Sequence, residues 1–311
     1  VGLEAVAEAL GGRAVELDRL GGLANDCYKL VVEVGDQLET FAVKLYRGRG
    51  ARLKAERELA IYKLMPEYGL RAPRLALVDL EGRLAGRPLL AWRWIDGVPA
   101  EKLLGNPRTR RAAARAMGAA LSRLHSIRPS ALEARLFKGG EGFWGEEAAS
   151  IRLLARLHPT CARGFSGLLG ELSDLSAERV TLVHGDYNPG NVLMGEGGVY
   201  VLDLEGARLG DPLYDVAYAC TFMLFEAGVE AAETFAVEYF KLSNLRSRGL
   251  ARRLVAAAAK LYLLLCYSGT ESLLRERAGP LYPLAKALFL EPFKRRLKAI
   301  ALERAVRVGR R

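Results

Sequence analysis

The sequence predicts an α+β protein of two lobes, a small strand-rich one over residues 1–96 and a larger, mainly helical one over residues 97–311. Three observations lead there. A length of 311 residues is enough for two compact bodies. Short strand patterns crowd residues 13–46 and 74–95, with one helical pattern between them. From Asn106 onward apolar residues recur mostly at helical spacing.

Taken in order, Leu3 to Leu10 is an ordinary amphipathic run and not a secretory leader. Ala14 to Leu20 reads as the first strand and runs into Gly21-Gly22-Leu23-Ala24-Asn25-Asp26. A glycine pair between strands lets backbone N–H groups approach phosphate oxygens. Taken alone this one reads as a hairpin turn, since it has neither a G-x-G-x-x-G pattern nor a P-loop lysine. Cys27 to Val34 is the second strand. In the third, Thr40 to Tyr46, Phe41, Val43 and Leu45 alternate with Ala42, Lys44 and Tyr46, so a lysine and a small residue share one face. Ala51 to Met65 is rich in helix formers and stops before Pro66, with Leu53, Ala60, Ile61 and Leu64 on its apolar face. Glu56 and Glu58 on this helix compete as partners for Lys44. Arg74 to Val78 and Pro88 to Ile95 complete a five-stranded antiparallel sheet, with Trp92 and Trp94 as core candidates.

In the second lobe, Thr109 to Ile127 carries Ala113, Met117, Leu121 and Leu124 at helical spacing. Lys138 to Gly145 is glycine-rich with Phe143 and Trp144; such a loop either contacts substrate or is a linker pinned by its tryptophan. Residues beyond Met223 read as further helices.

The most informative stretch is His184-Gly185-Asp186-Tyr187-Asn188-Pro189-Gly190-Asn191, a loop between the apolar runs ending at Val183 and starting at Val192. A third run, Val199 to Leu202, ends in Asp203, twelve residues after Asn191. These are the residue types that phosphoryl transfer requires. One carboxylate, Asp186, would orient a hydroxyl and take its proton, while Asn191 and Asp203 would hold magnesium.

His184-Gly-Asp-x4-Asn191, then Asp203-Leu204-Glu205, Gly210-Asp211-Pro212 and Asp215, resemble the aminoglycoside phosphotransferase and choline kinase family, a branch of the protein-kinase-like superfamily. The resemblance spans residues 180–218 and, less specifically, 20–126. It implies a bilobal kinase-like fold. It also implies that Gly22 and Asn25 cover nucleotide phosphates, that Lys44 reaches the α- and β-phosphates, and that Glu58 is its ion-pair partner. Residues 89–95 fall where kinases place the hinge, so backbone groups near Arg93 to Ile95 would bond the adenine edge. Asp215 would brace the catalytic loop through its backbone, and His125 would be structural. The implied cofactors are ATP and Mg²⁺, and the implied partner is a small-molecule hydroxyl acceptor. An acidic pocket from Glu226, Glu230 and Glu233 would suit a polycation; Trp144, Tyr187, Tyr214 and Tyr218 would suit a choline cage.

Composition bounds the alternatives. Half the chain is apolar and a quarter charged, so it is globular. Four well-separated cysteines argue for thiols rather than zinc, and one Gln beside many Arg and Glu fits a heat-adapted source, where a disulfide is tolerated. The longest apolar run, Leu254 to Tyr267, is interrupted by Lys260 and too short for a bilayer, so no membrane partner and a cytoplasmic location are expected. Of the net +10, residues 294–311 hold eight Lys or Arg against one Glu, a net +7. This basic end reads as a solvated helix face, with nucleic acid as the alternative partner. Ala42-Val43-Lys44-Leu45-Tyr46-Arg47 also resembles the RIO protein kinases, which makes an atypical protein kinase the runner-up. A non-catalytic nucleotide- or RNA-binding module is the third reading.

Overall fold

The structure, a computed structural model, describes residues 3–21, 24–130, 134–163, 172–246 and 249–266. The basic end at 294–311 and Gly22 lie outside them. The chain divides into two compact units, one of Val1–Val98, Pro129–Phe137 and Leu193–Ala207, the other of Pro99–Arg128, Lys138–Val192 and Arg208–Arg311.

The first unit is built on an antiparallel five-stranded sheet. Its strands are β1 (Arg13–Gly21), β2 (Asp26–Val34), β3 (Gln37–Leu45), β4 (Leu75–Asp79) and β5 (Leu89–Arg93), in the order β1-β2-β3-β5-β4. The alternation read in β3 sets its two faces. Phe41, Val43 and Leu45 join Leu30, Val32, Leu89 and Ala91 in a core closed by Leu3, Val6 and Ala7, the last two on the short helix α1 (Glu4–Ala9). Lys44 and Tyr46 point the other way, toward α2 (Ala51–Leu64), whose buried residues are Ala55, Glu58, Ile61 and Tyr62. Tyr62 meets Trp92 edge to face, so Trp92 is core as expected. Gly50, at φ +77°, starts α2, and Pro66 turns its end into a 3₁₀ turn. Three short strands form a second sheet, β6 (Gly97–Pro99), β8 (Val192–Gly195) and β9 (Gly198–Val201).

The second unit is mainly helical: α3 (Ala100–Gly105), α4 (Arg110–Leu124), α5 (Phe143–Leu157), α6 (Pro212–Glu226), α7 (Val229–Ser243) and α8 (Leu250–Cys266). α4 packs on α7 and α6 on α8. Gly118 permits the first crossing, because a Cβ there would lie 2.5 Å from the Phe235 carbonyl oxygen. α6 starts sharply: the Asp211 carboxylate accepts from Leu213 N (3.0 Å) and Pro212 occupies the first turn. A two-stranded ladder of β7 (Thr181–Val183) and β10 (Arg208–Gly210) leads directly into His184.

Candidate active site

In the first unit the ammonium of Lys44 sits among three carboxylates. Its Nζ lies 2.7 Å from Glu58 Oε2, 2.6 Å from Asp203 Oδ1 and 3.2 Å from Glu205 Oε2. Glu56 instead pairs with Arg52 on the surface, so Glu58 is the partner of Lys44. Glu58 is fixed from every side: Tyr46 Oη donates to Oε2 (2.6 Å), and Tyr62 Oη to Oε1 (3.1 Å). Burial works against the charged ammonium of Lys44, but the charges of Glu58, Asp203 and Glu205 outweigh it and hold the lysine well above its ordinary value. Asn25 is buried, its Nδ2 donating to Glu205 Oε2 and its Oδ1 accepting from Arg47 N (3.1 Å).

Asp203 adopts left-handed backbone at φ +62°, ψ 53°, which an aspartate tolerates better than most residues. Glu58, Asp203 and Glu205 each offer an oxygen within 4.8 Å of the other two. Converging carboxylate oxygens are the donor set of a hard divalent cation such as magnesium. Glu205 is therefore a member of this cluster in its own right, and the two-residue step from Asp203 was its only mark in the sequence.

Arg93 and Ile95 sit elsewhere on the same unit. The Arg93 guanidinium pairs with Glu39 (2.6 Å) and covers the Phe41 ring, and its backbone N donates to Arg74 O. Trp94 N donates to Thr40 O (2.9 Å), so the sheet already uses both of these N–H groups. Ile95 follows immediately beyond. Cys27 stands opposite Lys44 in the β2–β3 ladder, and burial pushes its thiol up to about 11, out of nucleophilic range.

In the second unit the loop 184–191 is held by its own side chains and by α6. Asp215 Oδ2 accepts from His184 N (2.6 Å), and Oδ1 from Gly185 N (2.9 Å). The His125 ring bridges Asp215 Oδ2 (3.0 Å) and Tyr239 Oη (2.8 Å), the structural role expected of it. Burial opposes charge on Asp215, yet the bonds and charges of His125 and His184 prevail and keep its carboxyl below the usual range. Tyr187 Oη donates to Met117 O (2.8 Å), which roots the loop in α4. Asn188 Nδ2 reaches Asp186 Oδ1 (3.2 Å) and Asn191 Nδ2 reaches Oδ2 (3.0 Å), so the two amides fix the carboxylate plane. With its Nδ2 spent on Asp186, Asn191 has its amide oxygen as the acceptor for a cation. Tyr218, one of the suggested cage residues, is buried near Asp186 instead, and burial and the Asp186 charge raise its phenol well above the ordinary value.

Two expectations about the acceptor change. Trp144, Tyr187, Tyr214 and Tyr218 are all buried, and the indole N–H of Trp144 donates to Asp211 Oδ2 (2.8 Å). They form core and not a cage, and Trp144 pins its loop. Of the three candidate glutamates, Glu226 is lifted to about 7 by lost hydration and by Glu101. Glu101 Oε2 in turn lies beside Gly190 of the loop 184–191; the sequence offered no signal for it.

Comparison with known proteins decides the lineage. A family model described as the phosphotransferase enzyme family matches residues 19–253. The chain belongs to that family. The match runs past the stretches 20–126 and 180–218 where the likeness is legible by eye, through α7 into α8. A protein from Ralstonia eutropha assigned as an aminoglycoside phosphotransferase is 18% identical, with 98% of each chain covered and a TM-score of 0.72. A spectinomycin phosphotransferase solved with ADP and spectinomycin is 12% identical, with 98% of each chain covered and a TM-score of 0.64. Both are likenesses of fold, and the fold is protein-kinase-like. Acyl-CoA dehydrogenase family member 10 of Mus musculus is 28% identical over 184 residues, 53% of this chain and 16% of that one. The chain thus spans only a small part of the length of this curated relative. Among the described residues, no helix is long and apolar enough to cross a membrane.

Proposed function

We propose that this phosphotransferase is an ATP- and Mg²⁺-dependent kinase acting on a hydroxyl of a small molecule. The observation that carries the reading is Lys44, pinned between Glu58 and Asp203 at 2.7 and 2.6 Å. A lysine so held is positioned for the phosphates of a nucleotide, and the ADP in the spectinomycin phosphotransferase supports a nucleotide in this fold. In the first unit Asp203 and Glu205 would offer oxygens to magnesium, and in the second the Asn191 amide oxygen is a donor of the same kind. When bound, the metal would neutralise charge on the phosphate oxygens.

Asp186 would orient the acceptor hydroxyl and receive its proton as the new O–P bond forms and the bond to the leaving ADP breaks. Asn188 and Asn191 fix that carboxylate, so the acceptor meets a pre-set geometry and little reorganisation is left to the reaction. Lys44 would steady the phosphates, and Ile95, beyond the two committed N–H groups of the strand end, would bond the adenine edge. Glu101, beside the loop, and Glu226, close enough to feel its charge, suit an acceptor with a positively charged group. A screen for ADP release across hydroxylated metabolites, amines included, tests the reading. Turnover retained in Asp186→Ala would refute it.

A further inference from the structure

The second unit contains a cavity of about 390 Å³ that the proposed phosphotransfer does not use. It is lined by the end of α4 (Ser122, Arg123, His125), by Arg179 and Thr181 at the entry to β7, and by the end of α7 around Ser243. The volume falls within the usual range for small-molecule sites. Its ten lining residues include two arginines and no carboxylate. Thr181 is 3% exposed, and its hydroxyl has no hydrogen-bond partner among the described residues. A buried hydroxyl left unmatched costs about 1–3 kcal/mol, which a ligand acceptor would recover.

We propose that this cavity binds a phosphate group, free or as a monoester, and that its occupancy is felt by the catalytic loop. Guanidinium groups and hydroxyls are the donors a phosphate takes. The carbonyl ends of α4 and α7 also approach the cavity and disfavour an anion, but a helix terminus contributes only about 0.3–1 kcal/mol while a charge-assisted hydrogen bond contributes about 1.5–3. The arginines prevail. The charge of Arg179 reaches inward as far as the Tyr239 phenol. Tyr239 holds His125, His125 holds Asp215, and Asp215 holds the backbone N–H groups of His184 and Gly185. A ligand against His125 is thus two hydrogen bonds from the loop that carries Asp186.

The test needs no acceptor and reads binding rather than turnover, and it rests on the proposed function only in using Mg-ADP to fill the nucleotide site. Protein saturated with Mg-ADP is titrated with inorganic phosphate and, separately, with glycerol 3-phosphate, by calorimetry and by following the Gly185 amide signal. Binding of either, with a shift of that amide, is expected, and the tighter of the two identifies the source of the phosphate. Thr181→Val and Arg179→Ala should each weaken binding by about tenfold or more. Thr181→Val should not lower the melting temperature of the free protein, because it removes an unmatched hydroxyl. No binding of either probe, or binding unchanged in both variants, overturns the proposal, and so does binding that leaves the Gly185 amide unmoved.

Discussion

Asp215 Oδ2 lies 2.6 Å from the backbone nitrogen of His184, and the same oxygen lies 3.0 Å from the His125 ring. One fully buried carboxylate on α6 thereby sets the path of a loop thirty residues earlier and ties it to α4. Asp215→Asn should lower stability by about 3 kcal/mol, the usual cost of breaking a buried pair. The folded carboxyl titrates below its unfolded value, so its contribution is complete above about pH 4 and is lost as pH falls through the lower folded value. Denaturant melts from pH 7 down to 2 should therefore show a shallower acid decline in the variant than in the wild type.

Asp186→Ala should reduce turnover by about 10²–10⁴-fold while the affinity for Mg-ADP changes little. Steady-state kinetics paired with calorimetric ADP binding separates the two quantities.

Lys44→Met leaves Glu58, Asp203 and Glu205 converging without their central cation. A melting temperature lower than wild type is expected, together with nucleotide affinity reduced at least about tenfold. Added magnesium should restore part of the lost melting temperature, since three carboxylates within 4.8 Å then face a cation with no competing ammonium.

Tyr218→Phe removes a buried hydroxyl on which the Asp186 charge acts and leaves the ring in the core. Turnover should fall severalfold at unchanged ADP affinity. An ADP affinity that falls in step with turnover would contradict the assignment of Tyr218 to the acceptor side.

Gly118→Ala would gain up to about 1 kcal/mol in helix propensity. The 2.5 Å approach of the added Cβ to the Phe235 carbonyl costs more, because both partners are backbone-anchored. A net loss of about 1–2 kcal/mol is expected by chemical denaturation, with weaker rooting of Tyr187 on Met117 next door.

The strand alternation of β3 was enough to turn Lys44 away from Phe41, Val43 and Leu45, because local periodicity decides which way a side chain points, whereas the family resemblance and not the helix pattern of α2 singled out Glu58 over Glu56. The spacing His184-x-Asp186-x4-Asn191 likewise determined a loop whose amides reach its own carboxylate, since those contacts span at most five residues. Tertiary structure alone decided the rest. Glu205 joined the cluster because left-handed backbone at Asp203 redirects the chain, and Asp215 reached the backbone of His184 and Gly185 because α6 packs against the loop. The four aromatic cage candidates became core for the same reason. Whether a ring lines a pocket or fills a core depends on which helices cover it, and that is set by contacts between segments far apart in the chain.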